Sequence, residues 1–200
     1  MKLLLATNNK GKLIELQFIL ADLPIELVTP ADLSLNLDVD EDGSTYAENA
    51  AKKAIAFARA SGLTCLADDS GLEVDALNGA PGLYSARYSP KPGATDRDRR
   101  QILLQNLRAS NAPRPWTARF RATVAVAGPK GSVEWAEGIC EGQVIPEERG
   151  TGGFGYDPIF LLQGMDQTMA ELSEETKNRL SHRARAVEAA KPILMRLGSL

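Results

Sequence analysis

The hydrophobic period of this chain changes near Arg119, and that change restricts the folds open to it. Before it, short apolar runs alternate with stretches of helical spacing. "KLLLA" (2–6) reads as a buried strand, "TNNKG" as a polar turn, and "KLIELQFILADL" (12–23) as an amphipathic helix. "IELVT" (25–29) reads as a second strand, and 30–44, rich in Asp, Leu and Pro, as a loop. Thr45 and Glu48 make the capping-box pattern of a helix that stops at Gly62, after which "LTCLA" reads as a strand. A further helix is predicted over 94–110, with Ile102, Leu103 and Leu107 on one face. From Arg119 strict alternation takes over. "ARFRATVAVAG" and "SVEWAEGICEG" flank "PKG" as a β-hairpin, with a third strand expected around Gln143–Ile145. "PIFLL" reads as one more short strand. Ser173 and Ser181 read as caps of two closing helices. Pro192 lies inside the second, where proline costs about 3 kcal/mol, so a kink or break is expected there. Helix-flanked strands followed by an antiparallel section make a mixed α/β fold.

Two hundred residues suit one large domain or two small lobes. The net charge of −3 argues against a protein that grips nucleic acid through its backbone. The basic runs "RDRR" and "RARA" read as solvated helix faces. Cys65 and Cys140 lie in apolar, strand-like stretches and read as buried, reduced thiols. The apolar run after Met1 is too short for a signal peptide, and no stretch approaches the length of a membrane span. The expectation is a soluble cytoplasmic protein.

Four polar clusters carry the chemistry. "ATNNKGKL" (6–13) is a strand-to-helix turn, where free backbone N–H groups and the positive helix end attract anions. It approaches a Walker A loop but has Ala6 for the first glycine and Leu13 for the magnesium-binding hydroxyl residue. Lys10 and Lys12 are still well placed for phosphate charge. The second cluster joins Asp40, Glu41 and Asp42 to a helix on which Glu48 and Lys52, and Asn49 and Lys53, share faces. In the third, "ADDSGLEVDALNGAPG", an apolar approach runs into Asp68 and Asp69. Adjacent carboxylates in a strand point to opposite faces, but at a strand end the backbone is free to turn. Such oxygen-rich sites suit Mg²⁺, and the glycines allow close backbone approach to a ligand. The fourth pairs "GTGGFGYDPIF" (150–160), where Phe154 and Tyr156 are candidates to stack on a flat base, with "KNRLSHR" and its single histidine, His182. Phosphate-binding cations, metal-binding acids and a stacking pocket are together the parts of a nucleoside triphosphate site.

In order, "TNNKGK", "YAENAAKKA", "ADDSGLEVDALNGAPGLYSARYS", "GTGGFGYDPIF" and "SHR" resemble the signature blocks of the inosine/xanthosine triphosphate pyrophosphatase family, over nearly the whole chain. The resemblance implies a single domain over 1–200 with a two-lobed α/β fold, a long central mixed sheet flanked by helices, and an active-site cleft between the lobes. It implies a homodimer and Mg²⁺-dependent hydrolysis of ITP, dITP and XTP to the monophosphate and pyrophosphate. Carried over by position, Thr7, Asn8, Asn9, Lys10, Gly11 and Lys12 form a triphosphate-binding turn joined by Lys53. Asp69 is the proton acceptor and a metal ligand, with Glu41 and Asp68 helping to hold Mg²⁺, and Ser70 touches substrate. Phe154, Gly155, Tyr156 and Asp157 form the base pocket, completed by Lys177, His182 and Arg183.

The chemistry accounts for these types. Attack of water on the α-phosphorus builds negative charge that cations stabilise, and a carboxylate beside a metal can deprotonate the water. Hypoxanthine and xanthine present an acceptor at C6 where adenine presents an amino donor, so pocket donors favour the keto base. Two alternatives stand beside this reading: a Maf-type nucleotide pyrophosphatase, and a non-catalytic nucleotide sensor using the same residues.

Overall fold

The computed structural model describes residues 1–198. Six strands form one mixed sheet in the order β2-β1-β3-β4-β5-β6. β1 (Lys2–Leu5) pairs in parallel with β2 (Glu26–Val28) and β3 (Thr64–Val74). β4 (Trp116–Ala127) and β5 (Val133–Val144) make the expected hairpin, turned by Gly128 and Gly131, and β6 (Phe160–Leu162) adds antiparallel to β5. The helices are α1 (Lys10–Ile19), α2 (Tyr46–Ser61), α3 (Asp96–Ala109), α4 (Glu174–Leu180) and α5 (His182–Gly198). None among the described residues is long and apolar enough to cross a membrane.

The chain divides into two compact units. Unit 1 holds Met1–Asp69, Ala122–Gly138 and His182–Leu200, and unit 2 holds Ser70–Arg121 and Ile139–Ser181. In unit 1 the sheet is covered on both faces, so the leucines of β1 are all buried. Leu3 and Leu5 join a core with Leu16, Ile19, Val187 and Leu194 of α1 and α5, while Leu4 faces Ala50, Ala54 and Phe57 of α2. A continuous apolar run is what a strand buried on two sides requires. Unit 2 has its own core, in which Leu103, Leu104 and Leu107 of α3 meet Leu72, Trp116, Phe120, Tyr156 and Phe160. Leu104, rather than the half-buried Ile102, completes the inner face of α3.

Four elements differ from the sequence reading. β3 does not stop at the acids but runs on to Val74. The strand expected around Gln143–Ile145 is the end of β5, not a separate element. At α2, Thr45 caps Glu48 N as expected, but the Glu48 carboxylate accepts from Ser44 N–H and Oγ instead of closing the box on Thr45. α5 passes through Pro192 without a break, with Ile193 and Leu194 buried in the core of unit 1. Packing of that face outweighs the one backbone bond that proline removes.

Candidate active site

The turn after β1 is built from its own side chains. Thr7 Oγ1 accepts from Asn9 N–H (3.2 Å), and Asn9 Oδ1 accepts from Lys12 N–H (3.1 Å), which makes Asn9 the cap of α1. No acidic residue stands in the first turn of α1, so its positive end is left to an anion. Asn8 and Lys10 are exposed, whereas Gly11 and Lys12 are half-buried.

Because β3 continues through the doubled acid, its side chains keep alternating. Leu66 belongs to the α1/α5 core and Ala67 to the α2 core. Asp68 therefore points to the α1/α5 side and Asp69 to the α2 side. On the first side Asp68 Oδ2 accepts from Arg183 Nε (3.0 Å) and lies 3.2 Å from Lys12 Nζ. Arg183 also donates through Nη1 to Glu15 Oε2, and all three of Asp68, Arg183 and Glu15 are buried. Burial alone would raise the Asp68 carboxyl, but Lys12, Arg183 and Lys53 outweigh it and hold the group well below the usual carboxylate range. On the second side Asp69 Oδ2 accepts from Asn49 Nδ2 (2.9 Å), and Asn49 Oδ1 accepts from Gly43 N–H (2.8 Å). Here burial dominates: it raises the Asp69 pKa, with Glu41 adding to the rise, against the Asn49 hydrogen bond and Lys12.

Glu41 is delivered by a pattern in the preceding loop. Leu33, Leu35, Leu37 and Val39 pack at every second position against the α2 core, and Glu41 is next in that register. Its carboxylate pairs with Lys53 Nζ on α2. Among the described residues, no three His, Cys, Asp or Glu side chains group closely enough to hold a metal ion unaided. The start of α5 also lies tight against β5. A Cβ on Gly138 would collide with the His182 carbonyl and with Ala186 N.

Unit 2 carries the glycine-rich loop. Asp157 Oδ2 accepts from Phe154 N–H (2.9 Å) and from Lys177 Nζ (2.6 Å), and Lys177 Nζ lies 4.9 Å from the centroid of the half-buried Phe154 ring. Gly153, at φ +70°, makes room for this arrangement, since a Cβ there would run into Asp157 Oδ2 and Lys177 Nζ. Tyr156 is different: its ring is buried in the core of unit 2 and its hydroxyl donates to the Ser85 carbonyl (2.9 Å). A ring packed in the core in this way is not presented for the stacking expected of it. Ser70, half-buried on β3, is the first residue of unit 2.

A model of the Ham1 family matches residues 3–193. The chain belongs to the Ham1 family. It is 48% identical over 199 residues to a dITP/XTP pyrophosphatase of Desulforamulus reducens, covering 98% of this chain and 97% of that one. It is also 48% identical over 189 residues to a dITP/XTP pyrophosphatase of Thermus thermophilus, covering 94% and 89%. The fold resembles the solved Ham1 protein of Coxiella burnetii with a TM-score of 0.88 at 40% identity, over 98% and 99% of the two chains.

Within the Ham1 fold the predicted residues gather into two sets. Unit 1 brings together the 7–12 turn, Glu41, Lys53, Asp68, Asp69 and Arg183, and includes His182; unit 2 brings together Phe154, Asp157 and Lys177. Arg183, read as part of the base pocket, is held between Asp68 and Glu15. Sequence reading missed Glu15, and it grouped Asn49 with Lys53 as a helix face without seeing that Asn49 holds Asp69. The signal for Glu15 was an acid in the apolar stripe of α1 beside Leu16 and Ile19, where an unpaired charge is not tolerated.

Proposed function

We propose that this Ham1-family chain hydrolyses non-canonical purine nucleoside triphosphates, ITP, dITP and XTP, to the monophosphate and pyrophosphate. The observation that carries the reading is the opposite treatment of two adjacent acids. Environments that push neighbouring carboxylates apart in pKa assign them different roles. Asp68, held ionised between Lys12 and Arg183, orders cations for a polyphosphate. Asp69, with its pKa raised and its orientation fixed by Asn49, is suited to take the proton of a water that attacks the α-phosphorus. The Asn9-capped turn and Lys12 bind phosphate oxygens, joined by Lys53, and pyrophosphate leaves as its charge is met by these cations. On the base side Phe154 stacks on the purine, and Lys177 and backbone N–H groups favour a C6 keto oxygen.

Asp69 and Glu41 fit a magnesium ion. Both are hard oxygen donors, Glu41 adds to the rise in the Asp69 pKa, and Mg²⁺ is commonly held by one or two carboxylates with substrate phosphates completing its shell. When bound there it would lower the pKa of a coordinated water and neutralise phosphate charge. Asp68, already shared by two cations, serves better as their anchor than as a ligand. The same reading takes the active species to be a cytoplasmic homodimer, for which sedimentation of the purified chain tests the stoichiometry.

The test is pyrophosphate release from ITP, XTP, GTP and ATP with Mg²⁺ and with excess EDTA. The expected result is turnover of ITP and XTP that far exceeds that of ATP and disappears in EDTA. Binding of ITP without pyrophosphate release would make the chain a sensor instead.

A further inference from the structure

We propose that Asp96 and Arg100 of α3 are positioning residues that lock the base-reading loop through both backbone groups of Gly155 and thereby set purine selectivity. The proposal rests on the base-side reading of Phe154 given above.

Gly155 has φ +61°, a conformation open to glycine, and nothing lies within 4 Å of where a Cβ would stand. Contact with neighbours therefore does not hold this residue; its peptide groups do. Gly155 N–H donates to Asp96 Oδ2 (2.8 Å), and the Gly155 carbonyl accepts from Arg100 Nη1 (2.7 Å). Asp96 and Arg100 are four residues apart on α3 and so share a face. Each is fixed in turn. Arg100, 9% exposed, forks onto Glu148 through Nε (3.1 Å) and Nη2 (2.9 Å), which sets the plane of its guanidinium. Asp96 Oδ1 accepts from Arg99 Nη2 (2.6 Å), and a complete capping box of Thr95 and Asp98 fastens the start of α3.

The consequence falls on Phe154. Its own N–H is held by Asp157, which fixes rotation on one side of its Cα. The next N–H, that of Gly155, is held by Asp96, which fixes rotation on the other. With both torsions set, the Cα–Cβ bond that carries the ring has one direction, which narrows the attitudes the ring can take relative to Lys177. Without the α3 clamp, a glycine free to rotate would leave the ring with several, and a base stack that costs ordering entropy is weaker. Selection among purines, which depends on where the base edge meets its donors, would relax with it.

The experiment compares Arg100→Met, Arg100→Lys, Glu148→Gln and Asp96→Ala with the parent, using Phe154→Ala as control. KM and kcat are measured for ITP and ATP, with a thermal melt and amide exchange at Gly155. Arg100→Met is expected to raise KM for ITP about tenfold, the scale of one charge-assisted hydrogen bond, with kcat near the parent value and a lower ITP-to-ATP ratio. Arg100→Lys should recover part of the loss. Glu148→Gln should shift KM the same way by less, and carries the test if Arg100→Met does not fold. Asp96→Ala should speed Gly155 exchange. A purely structural role would lower the melt while leaving KM and the ITP-to-ATP ratio alone. Parent KM values in folded Arg100 and Glu148 variants, or unchanged Gly155 protection, overturn the proposal when Phe154→Ala does raise KM. If Phe154→Ala leaves KM unchanged, the base-side reading itself falls.

Discussion

Asp68 and Asp69 share a strand and a chemistry, yet replacing each by asparagine should damage different properties. Asp68 is buried with Arg183 and pairs with the half-buried Lys12, and removing its charge leaves the buried Arg183 undercompensated. Breaking a buried pair in this way costs about 3–5 kcal/mol, so Asp68→Asn should melt well below the parent. For Asp69 the sign reverses. Its raised pKa means the fold disfavours its ionised form relative to the unfolded chain. Any stability the protonated acid contributes is present below the unfolded carboxylate pKa and lost as pH rises through the folded value. In EDTA at neutral pH, Asp69→Asn should therefore melt at or above the parent, and the gap should narrow in acid. Its kcat for ITP should fall about 10²–10⁴-fold, the usual loss for a general base. A folded Asp69→Asn protein within tenfold of parental kcat would move the base to another acid, Glu41 first. The acids themselves were legible in the sequence as a doubled carboxylate after an apolar run. Their division between faces was not, because "DDS" looks like the end of a strand, and only the partner strands show that β3 continues.

Two glycines separate what an element needs for packing from what the site needs. Gly138 lies where β5 meets the first turn of α5, and a methyl group there would strike the His182 carbonyl and Ala186 N. Backbone cannot rotate away as a side chain can, so Gly138→Ala should cost about 1–3 kcal/mol as an overpacked site. The atoms displaced belong to His182 and precede Arg183, so kcat/KM for ITP should drop as well. Gly62, the left-handed cap of α2 at φ +71°, has open space around its Cα. Gly62→Ala should cost about 1–2 kcal/mol in strain while leaving turnover at the parental level. Paired melts and ITP kinetics of the two variants check both statements. If Gly62→Ala were the more damaging to turnover, the start of α5 would not be part of the site. Gly62 was readable as a helix stop; Gly138 was not, since a glycine in an alternating strand says only that something comes close. The same limit hid the delivery of Glu41. Leu33, Leu35, Leu37 and Val39 alternate like a strand, but in the sequence they sit in a run rich in Asp and Pro that reads as a loop.

At the scale of the whole molecule, the mixed α/β class followed from the change of period at Arg119, which is a local property. How the chain distributes its functional residues did not, because each unit is assembled from separated segments and β3, β4 and β5 each contribute to both. The 7–12 turn, Lys53, the acids and Arg183 fall in unit 1, and Phe154, Asp157 and Lys177 in unit 2. This division has a measurable form. Tripolyphosphate carries the charge of the substrate tail and no base, so it should need only the unit 1 residues. In Phe154→Ala the KM for ITP should rise by the energy of a base stack, about 1–3 kcal/mol, while the inhibition constant of tripolyphosphate stays at the parental value. In Lys12→Met both should rise, because Lys12 meets phosphate whichever molecule brings it. The tripolyphosphate constant should also weaken with added salt more steeply than the loss caused by Phe154→Ala, since screening acts on charge and not on stacking. Equal loss of tripolyphosphate and ITP affinity in Phe154→Ala would mean that the aromatic loop supports the phosphate residues, and the assignment of base recognition to unit 2 would be abandoned.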